Sequence, residues 1–172
     1  MKIDPLCEPI RLILSDVDGV LTDGRIVFDN QGIESKNFHV RDGLGIRLWT
    51  EAGFRFGIIT SRSSHIVKVR CDELGIDLVR QGLKEKLPVA RKIMDELHLQ
   101  PQQVAYIGDD LPDLAIMNEV GLAIAVADAA DDVVAAAQLV TKRAGGQGAV
   151  REAIETILKS KKRWKEIVRK FG

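Results

Sequence analysis

Residues 11–22 read RLILSDVDGVLT. The apolar run Arg11–Ser15 breaks off at one aspartate, and a second aspartate two places on is followed by glycine. A run this short and this continuously apolar suits a strand covered on both faces, with a polar loop at its carboxyl end. The same pattern recurs along the chain. Phe54–Thr60 (FRFGIIT), Asp77–Val79, Val104–Ile107 (VAYI), Leu122–Val126 (LAIAV) and Gln138–Val140 read as further strands bounded by Gly, Asp or Pro. Helix signals lie between them. Leu44–Ala52 stops at Gly53, and Ser64–Leu74 opens on a Ser cap and closes at Gly75. Lys84–Leu97 is amphipathic, Leu111–Val120 carries Pro112 in its first turn, and Ala130–Ala137 and Gly148–Lys159 follow. Strand–helix alternation of this kind predicts an α/β fold: a doubly wound parallel sheet sandwiched by helices.

One segment interrupts the alternation. Gly24–His39 has two extended runs around Asp29-Asn30-Gln31-Gly32, which predicts a projecting β-hairpin over 24–39. The tail, 160–172, is basic and carries Trp164, Ile167, Val168 and Phe171. At 172 residues the chain is long enough for one domain, 1–172, and leaves no room for a separate cap domain.

Lys+Arg and Asp+Glu are equal at 25 each, so there is no global basic field to attract nucleic acid. The start, MKIDPLCEPIR, lacks the apolar core of a signal peptide, and no run approaches the ~18 apolar residues needed to span a bilayer. Cys7 and Cys71 form no CxxC or Cys/His cluster, so free thiols in a reducing, cytoplasmic setting are expected.

Ligands of open α/β sheets bind beyond the carboxyl ends of the strands. The polar residues predicted there are Asp16 and Asp18 after the first strand, Thr60 after the second, and Asp109, Asp110 and Asp113 after the fourth. Lys86 falls near the start of the helix after the third. Any one aspartate here could be a turn former or a helix cap. Two acidic clusters converging on one sheet end are harder to explain structurally, because neighbouring carboxylates ionise together only when a cation offsets their repulsion. Oxygen ligands of this kind suit Mg²⁺, which pairs with substrate phosphate.

DVDGVLT, the T of IIT, a downstream Lys and GDDLPD resemble, in order, the four motifs of the haloacid dehalogenase superfamily. That resemblance implies a Rossmannoid phosphatase with Asp16 as nucleophile and Asp18 as the acid/base that protonates the leaving oxygen and then activates water. Thr60 and Lys86 would hold the phosphoryl oxygens. Mg²⁺ would bind Asp16, the Asp18 backbone carbonyl and Asp109, with Asp110 and Asp113 in support. DVDGVLTDG, FHVRDGLGIR, IITSR, QGLKEK, YIGDDLPDL, GLAIAVADA and GGQGAVRE further resemble the capless subfamily of 3-deoxy-D-manno-octulosonate 8-phosphate phosphatases, across nearly the whole chain. By that resemblance His39, Val40, Arg41, Asp42, Gly43, Arg47, Arg62, Arg70 and Lys86 contact a phosphorylated sugar acid, the arginines offering a fork for carboxylate or phosphate. It also implies a homotetramer built around the hairpins, in which a neighbour's hairpin and tail cover each site.

Two positions depart from the family habit: Ser61 stands where Gly is frequent, and His39 where Asn is frequent. Arg62 favours the eight-carbon acid over the alternative, the nine-carbon KDN 9-phosphate, for which an acidic residue is expected there. A signalling receiver domain is excluded, because the third strand runs into Val79-Arg80-Gln81-Gly82 with no Asp to phosphorylate. A non-catalytic oligomerising module would have lost the nucleophile or the acid, and this chain keeps both.

Overall fold

A computed structural model describes residues 3–172. The elements in chain order are α1 (Asp4–Cys7), β1 (Leu12–Ser15), β2 (Val27–Phe28), β3 (Glu34–Ser35), α2 (Val40–Glu51), β4 (Arg55–Ile59), α3 (His65–Leu74), β5 (Leu78–Arg80) and α4 (Leu87–Glu96). After them come β6 (Val104–Gly108), α5 (Leu114–Met117), β7 (Leu122–Ala125), α6 (Asp131–Ala136), β8 (Leu139–Val140), α7 (Ala149–Ser160) and α8 (Trp164–Arg169). Six strands form one parallel sheet in the order β5-β4-β1-β6-β7-β8, and β2 and β3 pair antiparallel as a separate hairpin. This is the expected doubly wound α/β sandwich.

The uninterrupted apolar strands are explained by burial on both faces. Ile13, Phe56, Ile58, Ala105 and Ile107 face the layer that contains Ile46, Trp49, Val67, Ala153 and Ile157, from α2, α3 and α7. Their strand neighbours Leu12, Leu14, Ile59, Val104 and Tyr106 face Ala90, Ile93, Ile116 and Val133, from α4, α5 and α6. The chain moves outward from β1 to β4 and β5, then returns to the other side of β1 with β6. The switch in strand order therefore opens a crevice at the carboxyl end of β1, where Asp16 stands.

Several boundaries differ from expectation, each for a local reason. Helix α2 begins at Val40 rather than Leu44 and runs through Gly43 and Gly45. Two glycines cost a helix about 1 kcal/mol each, but a Cβ on Gly43 would lie 2.4 Å from Arg70 Nη2, and one on Gly45 3.0 Å from Arg151 Cδ. Close packing of α3 and α7 holds them there. The stretch 111–120 forms a 3-10 turn, Leu111–Asp113, and then only the short α5, because the Asp113 side chain bonds back to the amides of Asp109 and Asp110. The short α1 was not anticipated. In the tail, α8 packs with Ile167 buried, and the Arg151 guanidinium lies 5.0 Å over the Trp164 ring. Cys7 and Cys71 are buried free thiols. Among the described residues no helix is long and apolar enough to cross a membrane.

Candidate active site

The loop after β1 is wound around one carbonyl. Val20, Leu21 and Thr22 all donate their N–H to Val17 O at 2.9–3.2 Å, and the Thr22 hydroxyl accepts from Gly19 N and Gly24 N at 3.3 and 3.2 Å. Gly19 has φ +90°, and a Cβ there would fall 2.0 Å from Asp109 Oδ2. Only glycine lets the β1 and β6 loops approach so closely. A second close approach comes from the GGQG stretch: a Cβ on Gly145 would fall 1.7 Å from Gly19 O, and Gly146 N donates to Val20 O at 2.9 Å. This late motif clamps the first loop in place.

Asp16 continues the sheet ladder by donating its N–H to Ile107 O at 3.0 Å. Its Oδ1 accepts from Val17 N at 2.7 Å, and its Oδ2 lies 2.8 Å from Lys86 Nζ. Lys86 also reaches Asp113 Oδ1 at 2.7 Å and is almost wholly buried. Asp113 is saturated: Tyr106 donates its hydroxyl to Oδ1 at 2.6 Å, and the amides of Asp109 and Asp110 donate to Oδ2 at 2.9 and 3.3 Å. Asp109 is the contrast, since its Oδ1 is buried with no hydrogen-bond partner. Oxygens of Asp16, Asp109 and Asp113 lie within 4.8 Å of one another.

The charges follow from that crowding. Burial, then the neighbouring Asp113 and Asp16, push the Asp109 carboxyl up to about 8. Burial and Asp113 raise the Asp16 carboxyl while Lys86 opposes them. Burial works against the Lys86 ammonium, but Asp16 and Asp113 outweigh it and its pKa is raised. Burial and Asp113 hold the Tyr106 phenol well above its usual range. An unpartnered carboxylate oxygen beside a second acidic group fits a hard divalent cation. Asp16 and Asp109 supply the available oxygens, and Asp113 is already committed to Lys86, Tyr106 and the backbone.

Thr60 is buried at the end of β4, with its N–H on Arg80 O at 3.0 Å and its carbonyl accepting from Leu83 N at 3.3 Å. Asp110 caps the 3-10 turn by accepting from Leu111 N at 2.8 Å. The Asp18 carboxylate stands apart from the acidic trio and meets Lys36 Nζ, with Arg62 Nε at 3.6 Å. Lys36 and Glu34 were not foreseen from the sequence; their shared face of an extended hairpin run was the signal. Tyr106 was also missed, although a hydroxyl inside an apolar strand must find a partner.

The other substrate-contact candidates lie along the start of α2 and on α3. His39 caps α2 by accepting from Arg41 N at 3.2 Å. Val40 and Arg41 are exposed. Asp42 is buried and accepts from Arg151 N at 2.7 Å, so its carboxylate joins α2 to α7. Arg47 donates to Glu73 O at 3.3 Å, and Arg70 pairs with Glu73 Oε2 at 2.8 Å beside Gly43. Among the described residues no hydrogen bond or ion pair joins this patch to the acidic cluster.

The family model of haloacid dehalogenase-like hydrolases matches residues 75–154. The chain is 46% identical over 151 residues (88% of this chain, 80% of the relative) to a 3-deoxy-D-manno-octulosonate 8-phosphate phosphatase of Escherichia coli. A Moraxella catarrhalis phosphatase of the same description, solved in complex with magnesium ion, phosphate ion and KDO molecule, superposes with TM-score 0.97 at 39% identity, covering 99% of this chain and 98% of that one. The cobalt-bound form of the Haemophilus influenzae deoxy-D-mannose-octulosonate 8-phosphate phosphatase gives TM-score 0.89 at 39% identity, covering 92% and 93%. The chain belongs to the haloacid dehalogenase-like hydrolases, in the family of the 3-deoxy-D-manno-octulosonate 8-phosphate phosphatases.

Proposed function

We propose that the protein hydrolyses 3-deoxy-D-manno-octulosonate 8-phosphate through a covalent phosphate on Asp16, in a site requiring Mg²⁺. The observation that carries this is the Asp16–Lys86–Asp113 chain beside the unpartnered Asp109 oxygen. The likeness to a phosphatase holding magnesium, phosphate and KDO supports it.

Mg²⁺ held by Asp16, Asp109 and the Asp18 backbone carbonyl would offset the repulsion between an anionic ester and a carboxylate nucleophile. The Asp16 carboxylate attacks phosphorus as the ester P–O bond breaks, and the departing alkoxide takes a proton from the Asp18 carboxyl. Lys86 has a further N–H beyond those facing Asp16 and Asp113, and with Thr60 it holds the phosphoryl oxygens. Water then attacks phosphorus and passes its proton to Asp18. The Asp16 O–P bond breaks and inorganic phosphate leaves.

The domain is a single capless unit, 1–172, that works as a cytoplasmic homotetramer. Support for the assembly comes from Ile26, Val27, Phe28 and Ile33, exposed together on the hairpin. The patch of His39, Arg41, Arg47 and Arg70, which no hydrogen bond or ion pair among the described residues joins to the acidic cluster of its own chain, suits a neighbour's substrate. Arg62, half-exposed beside Asp18, faces the sugar acid within the chain. Phosphate release is compared for the eight- and nine-carbon acid phosphates with the enzyme in Mg²⁺. Selective release from the eight-carbon ester, abolished in Asp16→Asn, is expected. Equal rates would remove Arg62 as the selector, and activity persisting in Asp16→Asn would overturn the covalent route.

A further inference from the structure

Asp18 is one corner of a closed ring of alternating charge. Lys36 Nζ meets Asp18 Oδ1 and lies 3.3 Å from Glu34 Oε1. Arg62 Nη2 lies 2.9 Å from the same Glu34 oxygen, and Arg62 Nε lies 3.6 Å from Asp18 Oδ2. The Ser64 hydroxyl fixes the remaining Glu34 oxygen at 2.6 Å. The ring draws on three segments: the loop after β1, the second hairpin strand and the loop after β4.

Its two cations are not equivalent. The Lys36 side chain is 1% exposed and that of Arg62 43%. A lysine so far withdrawn from water is costly unless its charge is met, and Asp18 and Glu34 are the carboxylates that meet it. Buried this way, Lys36 has little surface to offer a substrate. It grips one Asp18 oxygen closely, while the other oxygen has only the long contact to the open-sided Arg62. One oxygen is tethered and its partner is left facing the side that a ligand can reach.

We propose that Lys36 is a positioning residue for the acid/base group: through it the hairpin holds Asp18 Oδ1 and leaves Oδ2 for the leaving oxygen. This rests on the acid/base role assigned to Asp18 above. Forming the hairpin and orienting Asp18 are then one structural event, and a chain with a disordered hairpin would keep its nucleophile but misplace its acid/base group.

The test uses the full-length enzyme with Mg²⁺ and two esters that differ in their need for a proton. p-Nitrophenyl phosphate expels a stable phenolate, whereas a primary-alcohol phosphate such as the octulosonate ester expels an alkoxide that needs protonation. Lys36→Met is expected to lower kcat/KM on the alkyl ester at least about tenfold, against about 10²–10⁴-fold for complete loss of a general acid. On the aryl ester the loss stays within about threefold, because attack by Asp16 is intact. Equal fractional losses on both esters would overturn the proposal, since a merely structural role depresses both alike.

A second comparison sets Asp18→Asn against Asp18→Asn/Lys36→Met. Acting through Asp18, Lys36 adds nothing once Asp18 is gone, so the two agree within about twofold, and a further tenfold loss would refute the coupling. The double variant removes Lys36 together with the Asp18 charge it meets, so no Asp18 carboxylate is left without its cation, and it answers the question even where Lys36→Met alone does not fold. If the wild type ignores the octulosonate ester but cleaves another primary-alcohol phosphate, the substrate reading fails, and the Lys36 ratio is read on that ester.

Discussion

Replacing Gly19 by Ala puts one methyl group at the most crowded point of the site. Its ideal Cβ would lie 2.0 Å from Asp109 Oδ2, whereas real Cβ atoms keep at least 3.0 Å, so the Asp109 carboxylate must withdraw by about 1 Å. The Asp109 backbone is held, its amide on Asp113 and its carbonyl on Ala130 N at 2.8 Å, so the displacement falls on the carboxylate that would hold the metal. A misplacement of about 1 Å at reacting groups costs roughly 10²-fold in rate. The left-handed backbone, φ +90°, adds about 1–2 kcal/mol of destabilisation for any residue with a Cβ. Gly24→Ala separates the two effects. Gly24 also has positive φ, +75°, but its Cβ would keep 3.4 Å from its nearest neighbour, Gly19 Cα. Both variants should lose similar stability in thermal unfolding. Only Gly19→Ala should lose Mg²⁺ affinity and about 10²-fold in phosphate release titrated against Mg²⁺. A Gly19→Ala enzyme within threefold of wild type in both would refute the geometry claimed for Asp109.

Lys86→Met leaves Asp16 and Asp113 buried without their shared cation; a loss of about 3–5 kcal/mol in denaturant unfolding is expected, with kcat down about 10²–10³-fold, and unchanged stability would count against the pairing. Asp109 also sets a pH dependence. A carboxyl at about 8 when folded and 3.8 when unfolded keeps its proton longer in the fold, so metal-free stability falls as pH rises from about 4 to 8. The slope is at most about 1.4 kcal/mol per pH unit for one proton. Mg²⁺ replaces that proton, so the rise in melting temperature on adding Mg²⁺ should be larger at pH 8 than at pH 5.5, and the reverse order would contradict the assignment. Phe28→Asp, on the exposed hairpin, is expected to shift the mass seen by light scattering from that of the proposed tetramer toward smaller species; an unchanged mass would remove the hairpin from the interface.

What the sequence made legible was local. The strands could be read because burial on both faces leaves short runs such as LILS and VAYIG without polar breaks. Asp16, Lys86 and Asp109 could be read because each lies at a strand's end or a helix's start, where any doubly wound sheet gathers its ligands. Long-range contacts were hidden. The start of α2 was misjudged because Gly43 and Gly45 lower helix propensity, and the Arg70 and Arg151 side chains packed against them come from elsewhere in the chain. Asp113 carries more than the supporting role expected of it, since it joins Lys86, Tyr106 and two backbone amides. Lys36 meets Asp18 only because the hairpin folds back across eighteen positions.

The central claim is that Asp16 carries the phosphoryl group. It is tested most directly in Asp18→Asn, which slows the water step while leaving attack on an aryl ester intact. Rapid acid quench after mixing with labelled p-nitrophenyl phosphate and Mg²⁺, followed by peptide mapping, should find one phosphate per chain on the peptide containing Asp16, and none in Asp16→Asn. A burst of nitrophenol with no phosphate retained on Asp16, or with phosphate on another residue, would contradict the account.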